Sequence, residues 1–193
     1  MNVRRMLIAA TAGLVGCGVA SAAIAAPASK GKSSGSEARP ASVGAEPTLI
    51  GQFGSWGAYM AAPGGKKVCF VLAKPSSSKT TPAGRPRDPA YAFISTRPSE
   101  KVVNEVSVMI GYPLKPGSES ALEVGGASFA MYTQGDGLWI KNAAEEERLV
   151  EALRKAPEVT VKGVSAKGTA TTDTFSLKGL AQALDKVAQN CGG

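Results

Sequence analysis

Residues 102–112 read VVNEVSVMIGY, and within them Val106, Val108 and Ile110 alternate with Glu105, Ser107 and Met109. Successive side chains of an extended chain point to opposite sides, so an apolar residue at every second position marks a strand with one buried face. Upstream, residues 91–96 (YAFIST) read as another strand, and residues 66–72 (KKVCFVL) form a continuous apolar run of strand length. A run of that kind is expected to be buried on both faces or nearly so. Gly64-Gly65 supplies a turn before it. The Gly-punctuated stretch carrying Phe53, Trp56, Tyr59 and Met60 reads as one twisted or bulged strand, completing a hairpin.

Downstream, residues 122–124, 127–133 and 138–141 are short strands separated by Gly125-Gly126 and Gly135-Asp136-Gly137, which are turn sequences. Val159 and Val161 alternate with Glu158, Thr160 and Lys162, and the Thr-rich residues 169–175 pair with them across a 165–168 turn. Two helices interrupt this pattern. Asn142-Ala143-Ala144-Glu145 resembles a capping box, Glu145, Glu146 and Glu147 suit the positive end of a helix dipole, and Leu149, Val150 and Leu153 supply an apolar face before Pro157. Ser176 is the expected cap of a last helix whose Leu177, Leu180, Ala181, Leu184, Val187, Ala188 and Cys191 recur at helical spacing. The domain is therefore mainly β, with two short helices, the last one C-terminal.

Residues 74–89 hold four prolines, Pro75, Pro82, Pro86 and Pro89, and are expected to be a long loop. Its cations Lys74, Lys79, Arg85 and Arg87 face only Asp88 in acid; a solvated, mobile loop is the favoured reading, and a contact for an anionic partner is the alternative. Trp56 and Trp139 are read as core residues whose indole N–H groups find acceptors.

The chain begins with a basic Arg4-Arg5 and an Ala- and Gly-rich uncharged run to Ala26, the order of a signal peptide. Two endings compete. Ala23-Ile24-Ala25 is a cleavage site that makes residues 1–25 the signal, whereas Leu14-Val15-Gly16-Cys17 resembles a lipobox for acylation on Cys17. Soluble export to the periplasm or beyond is favoured; a lipidated Cys17 would make the protein a membrane-anchored lipoprotein. Residues 26–47 are too poor in large apolar side chains to bury surface and read as a flexible linker, leaving 48–193 as the domain.

An exported chain with Cys69 and Cys191 remaining is expected to join them in a disulfide. The closed loop of 123 residues (191 − 69 + 1) corresponds to roughly 4–5 kcal/mol in the chain-entropy model. Function classes narrow further. Removing Arg4, Arg5, Lys30, Lys32 and Arg39 from the 22 basic residues, and Glu37 and Glu46 from the 15 acidic ones, leaves 17 against 13. That mild excess, with no clustered Lys/Arg and aromatics, does not suit nucleic acid. The chain has no histidine, so the usual general base and commonest metal ligand are missing. No catalytic, cofactor-binding or metal site is expected. The 163–169 segment has the glycine spacing of a phosphate loop without its lysine, and reads as a turn.

An ordered set of short motifs occupies the second half: Phe129, Met131 and Thr133; Asp136 and Trp139; Lys162-Gly163 with Ser165; Gly168-Thr169; Asp173, Phe175-Ser176-Leu177 and Gly179; Ala183-Leu184 ahead of Cys191. With these the stretch from Phe53 to Cys191 resembles the invasion-associated locus B family of exported alphaproteobacterial proteins. The resemblance implies a β-sandwich, immunoglobulin-like in outline, and a part in host-cell entry. Family members often carry a cysteine shortly after the first tryptophan; Trp56-Gly57-Ala58-Tyr59 has none, so no second disulfide is expected. The expected function is a non-catalytic envelope or secreted protein that binds an unknown protein or envelope-surface partner, with structural envelope maintenance as the alternative.

Overall fold

The structure, a computed structural model, describes residues 46–192. The expected export signal, Cys17 and all but the end of the expected linker lie outside the described residues. Chain order is β1 (Thr48–Phe53), β2 (Trp56–Ala61), β3 (Val68–Ala73), β4 (Ser77–Thr81), β5 (Tyr91–Arg97), β6 (Val102–Met109), β7 (Ser120–Val124), β8 (Ala127–Gln134) and β9 (Gly137–Ile140). Helix α1 (Ala143–Lys155) follows, then β10 (Glu158–Val164), β11 (Ala170–Ser176) and α2 (Leu180–Cys191).

The eleven strands among the described residues join in one antiparallel sheet of order β1-β2-β3-β5-β6-β9-β8-β7-β10-β11-β4. The sheet doubles back on itself. A Cβ on Gly163 of β10 would lie 2.7 Å from Ile110 and 3.3 Å from Leu114, although three strands separate β10 from β6. At the other end the Trp56 indole N–H of β2 donates to the Ser176 carbonyl of β11 at 2.9 Å. The result is a mainly β, sandwich-like fold around one core, with a ladder that stays continuous between the facing halves.

Period-two alternation fills that core. Cys69, Val71 and Ala73 point inward from β3, Ala92 and Ile94 from β5, Val106 and Val108 from β6, Val159 and Val161 from β10. The apolar run 66–72 is thus not buried on both faces: Val68, Phe70 and Leu72 are only half-buried on the outer side. The stretch expected to be one bulged strand is instead the β1–β2 hairpin, turned by Gly54-Ser55, with a register shift between Leu49 and Gly51.

Helix α1 starts as expected, with the Asn142 side chain accepting from the Ala144 N–H at 2.8 Å and Leu149, Val150 and Leu153 buried. Glu146 does more than offset the dipole: its carboxylate accepts the Val106 N–H of β6 at 2.6 Å. Burial pushes that carboxyl above the ordinary 4.5, the Val106 N–H pulls it down, and Glu105 nearby raises it further. Helix α2 begins later than Ser176. Its N-cap is Gly179, in the left-handed region at φ 92°, where a side chain would also collide with the Phe53 carbonyl. The helix packs on β1, β2, β3 and β5, and Cys191 in its last turn is bonded to Cys69, with Cα atoms 5.9 Å apart.

The segment 74–89 departs most from expectation, because Ser77–Thr81 form a strand. Pro75 and Pro82 bracket these five residues without interrupting them, and an edge strand needs hydrogen bonds on one side only. After β3 the chain crosses to the far edge, pairs with β11 as β4, and returns to lay β5 beside β3. Residues 74–90 therefore form a strap across the domain.

Candidate functional site

Strand β11 alternates like its neighbours, turning Thr171, Asp173 and Phe175 inward. Asp173 is an ionisable residue at an apolar position, with no solvent exposure at all. A buried carboxylate is tolerable only when paired and fully hydrogen-bonded. Arg87 of the strap supplies the charge: Nη1 donates to Oδ2 at 2.7 Å and Nη2 to Oδ1. Ser78 of β4 donates to Oδ1 at 2.6 Å and accepts from Arg87 Nη2 at 3.0 Å, while Arg87 Nη1 also donates to the Ile110 carbonyl at 3.0 Å. The guanidinium lies 5.9 Å from the Tyr112 ring centre, an attractive cation–π arrangement. The strap is held to the end of β6 as well, where Asp88 N–H donates to the Gly111 carbonyl at 3.1 Å. Gly111 sits at φ 78°, and any Cβ there would strike the Asp88 carbonyl.

Between the strap and the β10–β11 turn lies a cavity of about 510 Å³. Pro86, Pro113, Ala166 and the Tyr112 ring form its apolar walls, and Arg85 and Lys167 stand at it as cations. The Tyr112 and Thr171 hydroxyls share a 2.5 Å hydrogen bond. Burial pushes the Tyr112 phenol up, against the opposing pull of Thr171 and Arg87, so the group stays a neutral hydroxyl at physiological pH.

The four cations of the candidate contact segment take different positions. Arg87 is turned inward onto Asp173. Lys74 lies 5.5 Å over the Tyr91 ring. Lys79 is exposed on edge strand β4, and Arg85 borders the cavity. Asp173, Tyr112, Thr171 and Lys167 were not anticipated in a site. The alternation of Thr171, Asp173 and Phe175 does flag a carboxylate on an inward face, but its partner is 86 residues away and no local pattern announces it.

A second feature covers the outer side of the sheet. The two tryptophans have opposite fates. Trp56 is 2% exposed in the core, as expected. Trp139 is not: it is half-buried on the outer face, packed with Tyr132 at 5.8 Å between ring centres. Register places Leu72, Phe93, Ser107, Trp139 and Tyr132 in one row across β3, β5, β6, β9 and β8. Beside this row Tyr59 stacks on Phe70 at 5.3 Å, and Phe70, Phe93 and Tyr91 follow one another at 6.1 and 6.3 Å. Neither helix covers this band, since both pack on the core side. At one edge Arg97 joins Glu105 and Glu100, and the Glu105 hydrogen bonds push the guanidinium pKa up.

No helix among the described residues is long and apolar enough to cross a membrane. No curated protein and no solved structure matches the chain. The family model described as invasion associated locus B (IalB) protein matches residues 56–188, a span that holds Trp56, the whole strap, Asp173, Gly179 and the outer aromatic band. The chain belongs to the invasion associated locus B family.

Proposed function

We propose that this is an exported, non-catalytic protein that acts by binding a protein partner at the envelope or host-cell surface. The observation that carries the reading is the outer aromatic band. Tyr, Trp, Phe and Met are the residues enriched in the buried centres of protein interfaces, and contiguous exposed apolar patches mark interaction sites. Here Tyr59, Phe70, Phe93, Tyr91, Trp139 and Tyr132 form the centre without a charged residue among them, and Lys74, Arg97 and Glu105 lie at its border. Tyr132, 37% exposed, and its neighbour Trp139 are the anchor pair, and a protein surface with complementary apolar pockets is the occupant.

The test places a photo-crosslinking residue at Tyr132 and, as control, at Lys155 on α1 of the native protein in its own envelope. Support is a crosslink to one partner protein from position 132 alone, competed by excess wild type but not by Trp139→Ser/Tyr132→Ser. Crosslinks between copies of this chain, or none specific to position 132, overturn it. Export to the periplasm or medium belongs to the same proposal. An intact mass beginning at Ala26 supports it, and a diacylated Cys17 replaces it with a membrane-anchored form.

A further inference from the structure

The cavity beneath the strap shares no residue with the aromatic band, and its chemistry is different. Among the described residues its lining holds no carboxylate, and Arg87, a third cation at the wall, is already paired with the buried Asp173. Arg85 and Lys167 border the space with no carboxylate within salt-bridge distance among the described residues. The hydroxyls are arranged as donors too. Thr80 Oγ1 accepts from the Arg85 N–H at 3.3 Å and Ser165 Oγ accepts from the Thr169 N–H at 3.0 Å. Each oxygen is thereby engaged as an acceptor, and its own O–H remains to be given elsewhere. In the Tyr112–Thr171 pair one proton bridges the two oxygens and the second is left to donate.

Two unpaired cations and three hydroxyl donors converging on one partly apolar space call for a ligand rich in acceptors and negative charge. We propose that this cavity binds a phosphate ester, with the phosphoryl oxygens between Arg85 and Lys167 and a compact organic group against Pro86, Pro113 and the Tyr112 ring. A tetrahedral phosphoryl group meets donors arriving from several directions, which a planar carboxylate does not. A volume of about 510 Å³ accommodates the phosphate with a small substituent, within the usual range for small-molecule sites. The buried ion pair fixes the strap that forms one wall before a ligand arrives, and the ordering cost at binding falls on the exposed Arg85 and Lys167 side chains.

The same headgroup chemistry occurs in free phosphate esters and in anionic phospholipids, and the experiment separates them. Calorimetry on the oxidised mature protein uses phenyl phosphate and glycerol 3-phosphate, with phenol and glycerol as uncharged controls. In parallel, the protein is sedimented with phosphatidylglycerol and with phosphatidylcholine vesicles. Arg85→Ser/Lys167→Ser is compared with Lys66→Ser/Lys141→Ser, which removes the same charge from exposed positions outside the cavity. The expected result is saturable one-to-one binding of a soluble ester, weakened about tenfold or more by the first pair, as expected for lost charge-assisted hydrogen bonds, and unchanged by the second. Phosphatidylglycerol capture with that same variant pattern, soluble esters being inert, assigns the site to a lipid headgroup. Absence of both up to roughly 10 mM ester, weaker than any specific site, overturns the proposal, and so does equal loss in the two variant pairs.

Discussion

The Arg87–Asp173 pair allows a quantitative test of how the strap is held. Asp173 has no exposed side-chain surface and Arg87 11%. The carboxylate accepts two hydrogen bonds from Arg87 and one from Ser78. Arg87→Met strands a buried carboxylate with a single hydroxyl donor, and breaking a buried pair in this way costs about 3–5 kcal/mol. Asp173→Asn leaves the guanidinium its Ile110 carbonyl, the Tyr112 face and an opening toward the cavity, so the cost falls to about 2–3 kcal/mol, the scale of hydrogen bonds to charged groups. Arg87→Met/Asp173→Leu removes both charges and refills the space, and its cost falls below that of Arg87→Met alone. Urea unfolding of the oxidised proteins, followed by far-ultraviolet circular dichroism, measures all three. With a slope of about 2 kcal/mol/M, Arg87→Met should lower the midpoint by roughly 1.5–2.5 M. Single variants within about 0.5 kcal/mol of wild type, the range of ordinary surface substitutions, would refute the reasoning. So would a double variant that costs as much as Arg87→Met or more, because removing the stranded carboxylate and refilling its space must relieve the single variant's penalty.

Two further outcomes follow from other parts of the fold. Cys69→Ala/Cys191→Ala opens a loop whose ends are 122 residues apart and should cost about 5 kcal/mol by the loop-entropy relation; a denaturation midpoint unchanged between the oxidised wild type and this variant contradicts it. For Glu146, burial raises the folded-state carboxyl pKa above 4.5, so the native state holds more protons than the unfolded chain in the window just above that value. Stability contributed by this group is then fully present below the unfolded pKa and is lost as pH rises through the raised one. Glu146→Gln, which keeps an acceptor for the Val106 N–H, should gain on wild type between about pH 4 and pH 7, measured as the difference in Tm; a difference constant across that range removes the claim.

Much of the fold is legible in local patterns because one face of nearly every strand is buried. Val106, Val108 and Ile110, or Val159 and Val161, carry the core alternation in neighbouring residues, and Asn142 carries its own cap. The failures share a cause. Ser77–Thr81 contains no large apolar residue, so no periodicity could mark it; only pairing with β11, about ninety residues later, makes it a strand. Trp139 sits at an outward register position on β9, which its four residues are too short to reveal. The family resemblance picked out Asp173, Gly163 and Gly179 as motif positions without a reason for any of them. Asp173 grips Arg87, Gly163 admits Ile110, and Gly179 lets the chain pass the Phe53 carbonyl. Each reason is a contact with a distant segment, which spacing along the chain does not encode.

The far-edge placement of β4 also bears on the order in which the protein can assemble as it is made. Residues 48–73 meet their partners within a few turns of chain, but residues 77–81 have none until residues 170–176 exist. For most of the time the chain is growing, the strap must wait. A waiting segment with unpaired backbone groups invites association with other chains. SSKTT, with one lysine and hydroxyl side chains between two prolines, offers such a neighbour little to adhere to. The same residues that hide the strand from a sequence reading keep it harmless until its partner arrives. Cleavage within the strap by a protease specific for lysine and arginine would therefore report how much of the chain has yet to close.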